Sequence, residues 1–319
     1  MSWQPSATLP TLKRRAQLLA IVRDFFAKRH VQEVETPVLS TAAVSDCQIE
    51  SLTTRITGRS EAFFLHTSPE FAMKRLLAAG SGDIFQICKV FRDAEHGRWH
   101  NPEFTLIEWY RLGFDDSALM TEVEALVTAL LYPQPLKRGA ERLTYADALY
   151  RHAGVDAHRA SDLDLTQAAV QHGIICNAAL DRDAKLDLLM ALVVGPKLGR
   201  ECPCFIYDYP ASQASLARIK PGFPAVAARF ELYIDGLELA NGFHELGQAD
   251  EQRTRFSRDL ATRRVRGQVE PPLDEELLAA LAAGLPECAG VALGFDRLVA
   301  ISTGAKSLGE AMAFSLAAQ

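Results

Sequence analysis

Residues 84–111 read IFQICKVFRDAEHGRWHNPEFTLIEWYR. Two apolar runs, 84–92 and 103–111, enclose a polar segment that holds a glycine and a proline. This predicts two antiparallel strands joined by a long, functional loop. Alternation with period two sets Phe104, Leu106, Glu108 and Tyr110 on one face of the second strand.

Upstream, Leu12, Ala16, Leu19, Val22 and Phe26 recur at helical spacing behind Pro10, so a helix is expected over about 11–29, capped by Thr11. VQEVETP reads as a short strand stopped by Pro37, and AFFLHTS (62–68) as another. Ser68-Pro69-Glu70 opens a helix to about Ala79, since proline suits a first helical turn. Downstream, residues 115–200 carry mainly helical periodicity and form the expected insertion. FELYIDGLELANGFHEL (230–246) is a hairpin with Asp235-Gly236 at its turn. Helices at about 250–266 and 274–284 lead to GVALGFDRLVAIS, a strand, a glycine turn and a helix. The expected fold is α+β: an antiparallel sheet flanked by helices, in one domain spanning 1–319.

Hydrophobic residues are 48% and charged residues 23% of the 319, the proportions of a globular chain with a core. Lys+Arg is 34 against Asp+Glu 40, a net charge of -6, which argues against bulk electrostatic binding of nucleic acid. No apolar run nears the roughly 20 residues of a membrane span, and the N-terminus lacks a secretion signal. The expectation is a cytoplasmic protein with no membrane contact. Six cysteines without a CxxC pair fit reduced thiols rather than a zinc site.

GxxxxGK[ST] and a strand-borne GxGxxG are absent, so any nucleotide is bound without a P-loop or Rossmann turn. In the hairpin a two-residue turn sets 233 opposite 238 and 231 opposite 240, which places Glu231 and Glu238 on one face. Two such carboxylates can hold a divalent ion completed by phosphate and water, or form a solvated polar face. Arg92 ends a strand and Arg297 begins a helix; each is placed to clamp a phosphate, or is a surface arginine. Glu70, Glu108 and Glu245 stand beside aromatic residues, a setting for ammonium groups or for structural ion pairs.

Together these segments resemble class II aminoacyl-tRNA synthetases, most closely the catalytic core of lysyl-tRNA synthetases, from about residue 11 to the C-terminus. The first helix with VQEVETPVLS looks like motif 1, which packs dimers. VFRDAEHGRWHNPEFTLIEWY looks like motif 2, GVALGFDRLVA like motif 3, and ELANGFHEL like the lysine-binding signature. Motif 1 starts almost at the first residue, leaving no room for an anticodon-binding domain. The expectation is therefore similarity to the stand-alone paralogues that attach (R)-β-lysine to a lysine of elongation factor P, with no tRNA as partner.

The resemblance implies an ATP-dependent, AMP-forming ligase that uses ATP and Mg²⁺ and is a homodimer. Arg92 bridges the substrate carboxylate and the α-phosphate, and Arg297 holds the distal phosphates. Glu231 and Glu238 bind Mg²⁺. Phe104 stacks on adenine, with Asp93, Ala94, Glu95, His100, Asn101, Leu239 and Gly294 around the nucleotide. The amino acid meets Ser68, Pro69, Glu70, Glu108, Tyr110, Asn241, Glu245 and Ala292. Strict alternation puts Asn241 and Glu245 opposite Glu238, so a bulge near Asn241-Gly242 is expected. Two positions depart from the family: Ala94 replaces its adenine-contacting glutamate, with Glu95 or a backbone carbonyl as substitute, and Ala292 replaces a glycine. The arginines at 253, 255, 258, 263, 264 and 266 read as a partner surface or a solvated helix face. A truncated enzyme charging tRNA and a non-catalytic regulatory paralogue remain as alternatives.

Overall fold

In this computed structural model the described residues are 3–131, 138–177 and 180–316. The chain runs α1 (Leu9–Ala27), β1 (Gln32–Glu33), β2 (Leu39–Ser40), β3 (Thr53–Thr54), β4 (Phe63–Leu65), α2 (Glu70–Ala78), β5 (Ile84–Phe91) and β6 (Glu103–Leu112). It continues through α3 (Asp116–Leu131), β7 (Glu141–Thr144), α4 (Tyr145–Ala153), α5 (Asp162–Gln171), α6 (Arg182–Leu189), β8 (Cys204–Pro210) and β9 (Ile219–Lys220). It ends with β10 (Val226–Ile234), β11 (Leu237–His244), α7 (Ala249–Val265), α8 (Glu275–Gly284), β12 (Cys288–Gly294) and α9 (Phe295–Thr303). Two compact units result, one of residues 1–114, 129–132 and 246–319, the other of 115–128 and 133–245.

The first unit carries the strand pair expected from 84–111. β5 and β6 are antiparallel with Gln86 opposite Glu108, β6 is antiparallel to β12 with Glu108 opposite Ala292, and β1 lies parallel to β5. α1 covers one sheet face: the Phe26 ring stacks on Phe85 at 4.4 Å and meets Trp109 edge-on at 5.3 Å. Its cap is Thr8, not Thr11, because Pro10 sits inside the first turn. On the other face, Met73 and Leu77 of α2 pack with Ile84, Tyr110 and Cys288.

In the second unit β10 is antiparallel to β8 and β11, and β7 joins β8 in parallel. The largely helical segment expected over 115–200 supplies α4, α5 and α6, whose Leu149, Leu165 and Leu186 share a core with Ile206, Tyr209 and Tyr233. Asp235 (φ 52) and Gly236 (φ 76) make the hairpin turn, a left-handed pair that suits the twist of two joined strands. Among the described residues no helix is long and apolar enough to cross a membrane.

Candidate active site

Arg92 follows β5, and its N–H donates to Pro102 O at 2.9 Å, which closes the base of the loop. Its guanidinium lies over the Phe104 ring, 5.1 Å from the centroid, and Nε donates to Thr67 O at 3.4 Å. Arg297 sits in the first turn of α9. It donates from Nη2 to His100 Nε2 at 3.0 Å and from Nε to Trp99 O at 3.3 Å. Glu95 approaches the same His100 nitrogen at 3.5 Å. Burial foremost, then the charges of Arg297 and Arg92, hold His100 below the usual imidazole value. A neutral ring is what an arginine donor requires at Nε2. Arg297 thus meets the imidazole directly, and the charge of Arg92 is felt there.

Arg297 is held in place by its neighbour. Asp296 is buried, accepts the Thr105 N–H at 2.6 Å and pairs with Arg15 of α1 at 2.5 Å. One carboxylate therefore ties α9 to β6 and α1. Composition offers no signal for this tie, because an Asp before an Arg reads as a surface pair.

Glu108 is 2% exposed and accepts Ser68 Oγ at 2.7 Å and Tyr110 OH at 2.8 Å. The Glu70 N–H donates to the same Ser68 oxygen at 3.0 Å. Ser68, Glu70, Glu108 and Tyr110 thus form one connected group, behind Pro69 at the entry to α2. Ala292 of β12 stands opposite Glu108, and Gly294 opposite Leu106.

Other expected contacts occupy different settings. Asn101 is buried; its Nδ2 donates to Glu103 O, while Oδ1 accepts Ser315 Oγ and the Leu316 N–H, both at 3.1 Å. It braces the loop against the C-terminal segment. Ala94 is exposed with φ 60, its N–H on Asp93 Oδ1 at 2.8 Å. A non-glycine residue in that region is uncommon.

In the second unit the hairpin corrects the expected register. Tyr233 faces Glu238, but Leu232 faces Ala240 and Glu231 faces Asn241, because Leu239 is an extra residue on β11. The bulge is there, two residues earlier than expected. It brings Glu231, Tyr233, Glu238 and Asn241 to one face, and alternation carries that face to Glu245. Glu231 accepts Arg229 Nη2 at 2.6 Å and Tyr233 OH at 2.7 Å. Burial foremost, then Glu231 and Glu238, push the Tyr233 hydroxyl well above its usual value. Glu245 is 2% exposed and bridges Ala217.

The arginines of α7 divide. Arg253 pairs with Glu275 at 2.5 Å, Arg255 with Glu251 at 2.5 Å and Arg264 with Glu270 at 2.7 Å. Arg263 is neither partner surface nor solvated face. At 2% exposure it donates to the carbonyls of Ser45, Asp46, Ile49 and Val269 and to the Glu50 carboxylate. Glu50 O in turn accepts the Asp93 N–H at 2.9 Å, beside Arg92.

An arginine on a loop histidine and a connected buried carboxylate group thus stand on one antiparallel sheet. The family model for tRNA synthetases class II (D, K and N) matches residues 3–318, and the chain belongs to that family. It is 49% identical over 318 residues to the elongation factor P--(R)-beta-lysine ligase of Vibrio cholerae, covering 98% of this chain and 97% of the relative. The protein of the same name from Salmonella dublin is 49% identical over 321 residues, covering 99% and 98%.

Proposed function

We propose that this chain is an elongation factor P–(R)-β-lysine ligase: it activates (R)-β-lysine with ATP and transfers it to a lysine side chain of elongation factor P. The observation that carries the reading is Arg297 of α9 donating to His100 of the loop that Arg92 opens, in a chain 49% identical to such ligases over nearly its whole length.

In the first step the amino acid carboxylate attacks the α-phosphorus of ATP, and pyrophosphate leaves. The carboxylate is already ionised, so no general base is needed, and placement and charge do the work. Arg92 holds the carboxylate against the α-phosphate, and Arg297 and His100 hold the distal phosphates. Phe104 offers its ring to adenine. Ala94 has no carboxylate for the adenine amino group; its carbonyl, which accepts the His96 N–H at 3.0 Å, offers its second lone pair for that bond, since Glu95 is turned toward His100. Glu70, Glu108 and Glu245 receive the ammonium groups, with Ser68, Tyr110 and Asn241. In the second step the acceptor lysine, having lost its ammonium proton to solvent, attacks the adenylate carbonyl; the C–N bond forms, the C–O bond to the phosphate breaks, and AMP and the remaining excess proton leave.

Glu231 and Glu238 fit a hard divalent ion, as two oxygen donors on one sheet face. Magnesium bound there would spread the charge that develops on the phosphates. Each Glu231 oxygen accepts one hydrogen bond, so Arg229 and Tyr233 aim the carboxylate without using up its lone pairs. The likeness of α1 and residues 31–40 to motif 1 supports a homodimer, and an acceptor that serves translation supports a cytoplasmic place.

The test incubates the purified chain with ATP, magnesium and (R)-β-lysine, and with either elongation factor P or tRNA. The expected result is a mass gain of one β-lysyl group on elongation factor P and none on tRNA. Charging of tRNA alone would overturn the reading.

A further inference from the structure

Lys74 is 1% exposed, and its ammonium meets Glu70 Oε1 at 2.7 Å, one turn apart on α2. On a helix surface such a pair is worth a few tenths of a kcal/mol. In a buried setting the desolvation of both ions offsets their attraction, and well-packed apolar residues would serve stability as well. The pair therefore calls for a role in arrangement. Its surroundings supply one. Glu70 is anchored through its N–H to Ser68 Oγ, and Ser68 donates to Glu108, which also accepts Tyr110. The small cavity beside Glu70 is lined by the further ionisable groups His66, Arg75 and Asp274, of which burial favours a neutral His66 and Arg75 pairs with Glu276 at 2.6 Å. A lysine-type amino acid must find its carboxylate acceptors in fixed places, since an ammonium group can turn toward any oxygen that swings within reach.

We propose that Lys74 is a positioning residue for amino-acid recognition. It holds Oε1 of Glu70, so the carboxylate presents Oε2 to the substrate in one orientation. This rests on the reading of Glu70 as a substrate contact.

Lys74→Met keeps the length of the stem and removes the charge. In amino-acid-dependent pyrophosphate–ATP exchange it should raise the KM for (R)-β-lysine about tenfold or more, with kcat and the ATP KM within about twofold of the parent. Glu70→Gln should raise the same KM. The double variant should be no worse than Glu70→Gln, because Lys74 acts through Glu70. If Glu70→Gln raises the KM and Lys74→Met does not, the inference fails and the substrate reading stands. An unchanged KM in Glu70→Gln overturns both. Additive losses in the double variant, or kcat and both KM values worsening together as the melting temperature falls, mean a structural role only and also overturn the inference. Should Lys74→Met not fold, Lys74→Gln, which keeps a donor, is measured against the same outcomes.

Discussion

Arg297 donates to His100 at 3.0 Å and to Trp99 O at 3.3 Å, so the first turn of α9 and the loop after β5 meet at one side chain. In the proposed reaction that pair receives the distal phosphates. Arg297→Ala should lower amino-acid-dependent pyrophosphate–ATP exchange by about 100-fold or more, the scale of losing one preorganised charge donor. Circular dichroism should stay that of the parent. Exchange at the parent rate would remove Arg297 from the phosphate site.

The same contact carries a protonation signature. Burial and Arg297 hold the His100 ring below its usual value of 6.5. Phosphates brought beside it favour the imidazolium and move its titration upward. Histidine NMR, assigned with His100→Asn, should place its midpoint below 6.5 in the free protein and higher with ATP. A midpoint indifferent to ATP would place the nucleotide elsewhere.

Ala292 faces Glu108 across β6 and β12. In the proposed reaction its methyl group lies at the floor of the amino-acid pocket. Ala292→Gly should raise the use of α-lysine relative to β-lysine. The ratio of their kcat/KM values should shift by about 1–3 kcal/mol, the worth of one methylene-sized difference. An unchanged ratio would clear Ala292 of any part in selection.

Arg263 satisfies four backbone carbonyls and Glu50 from inside the first unit. Arg263→Met leaves those acceptors without their donor and should cost about 3–5 kcal/mol in urea unfolding. Amide exchange at Asp93 should quicken too, since its partner Glu50 loses its anchor. A loss under 1 kcal/mol would show that the carbonyls find other donors.

Much of this site is local in the chain. Period-two alternation alone sets Glu108 and Tyr110 on one face, and Asp235-Gly236 announces its turn through backbone chemistry alone. Lys74 and Arg263 are hidden for the opposite reason. Each sits in a stretch of charges that any solvated helix could carry, and only packing from distant segments buries it. The Leu239 bulge has no mark of its own, since an added residue in a strand alters neither composition nor polarity. It was inferable near Asn241 from a conflict of faces, but not its exact place.

That bulge has an evolutionary corollary. Because Leu239 is an uncompensated residue, the stretch from Glu238 to Asn241 is locked in length: deleting one position would turn every later side chain of the strand over, Glu245 included. Related chains are free to exchange side chains there and to lengthen loops elsewhere, but an alignment gap inside those four positions should mark a protein that has given up this chemistry.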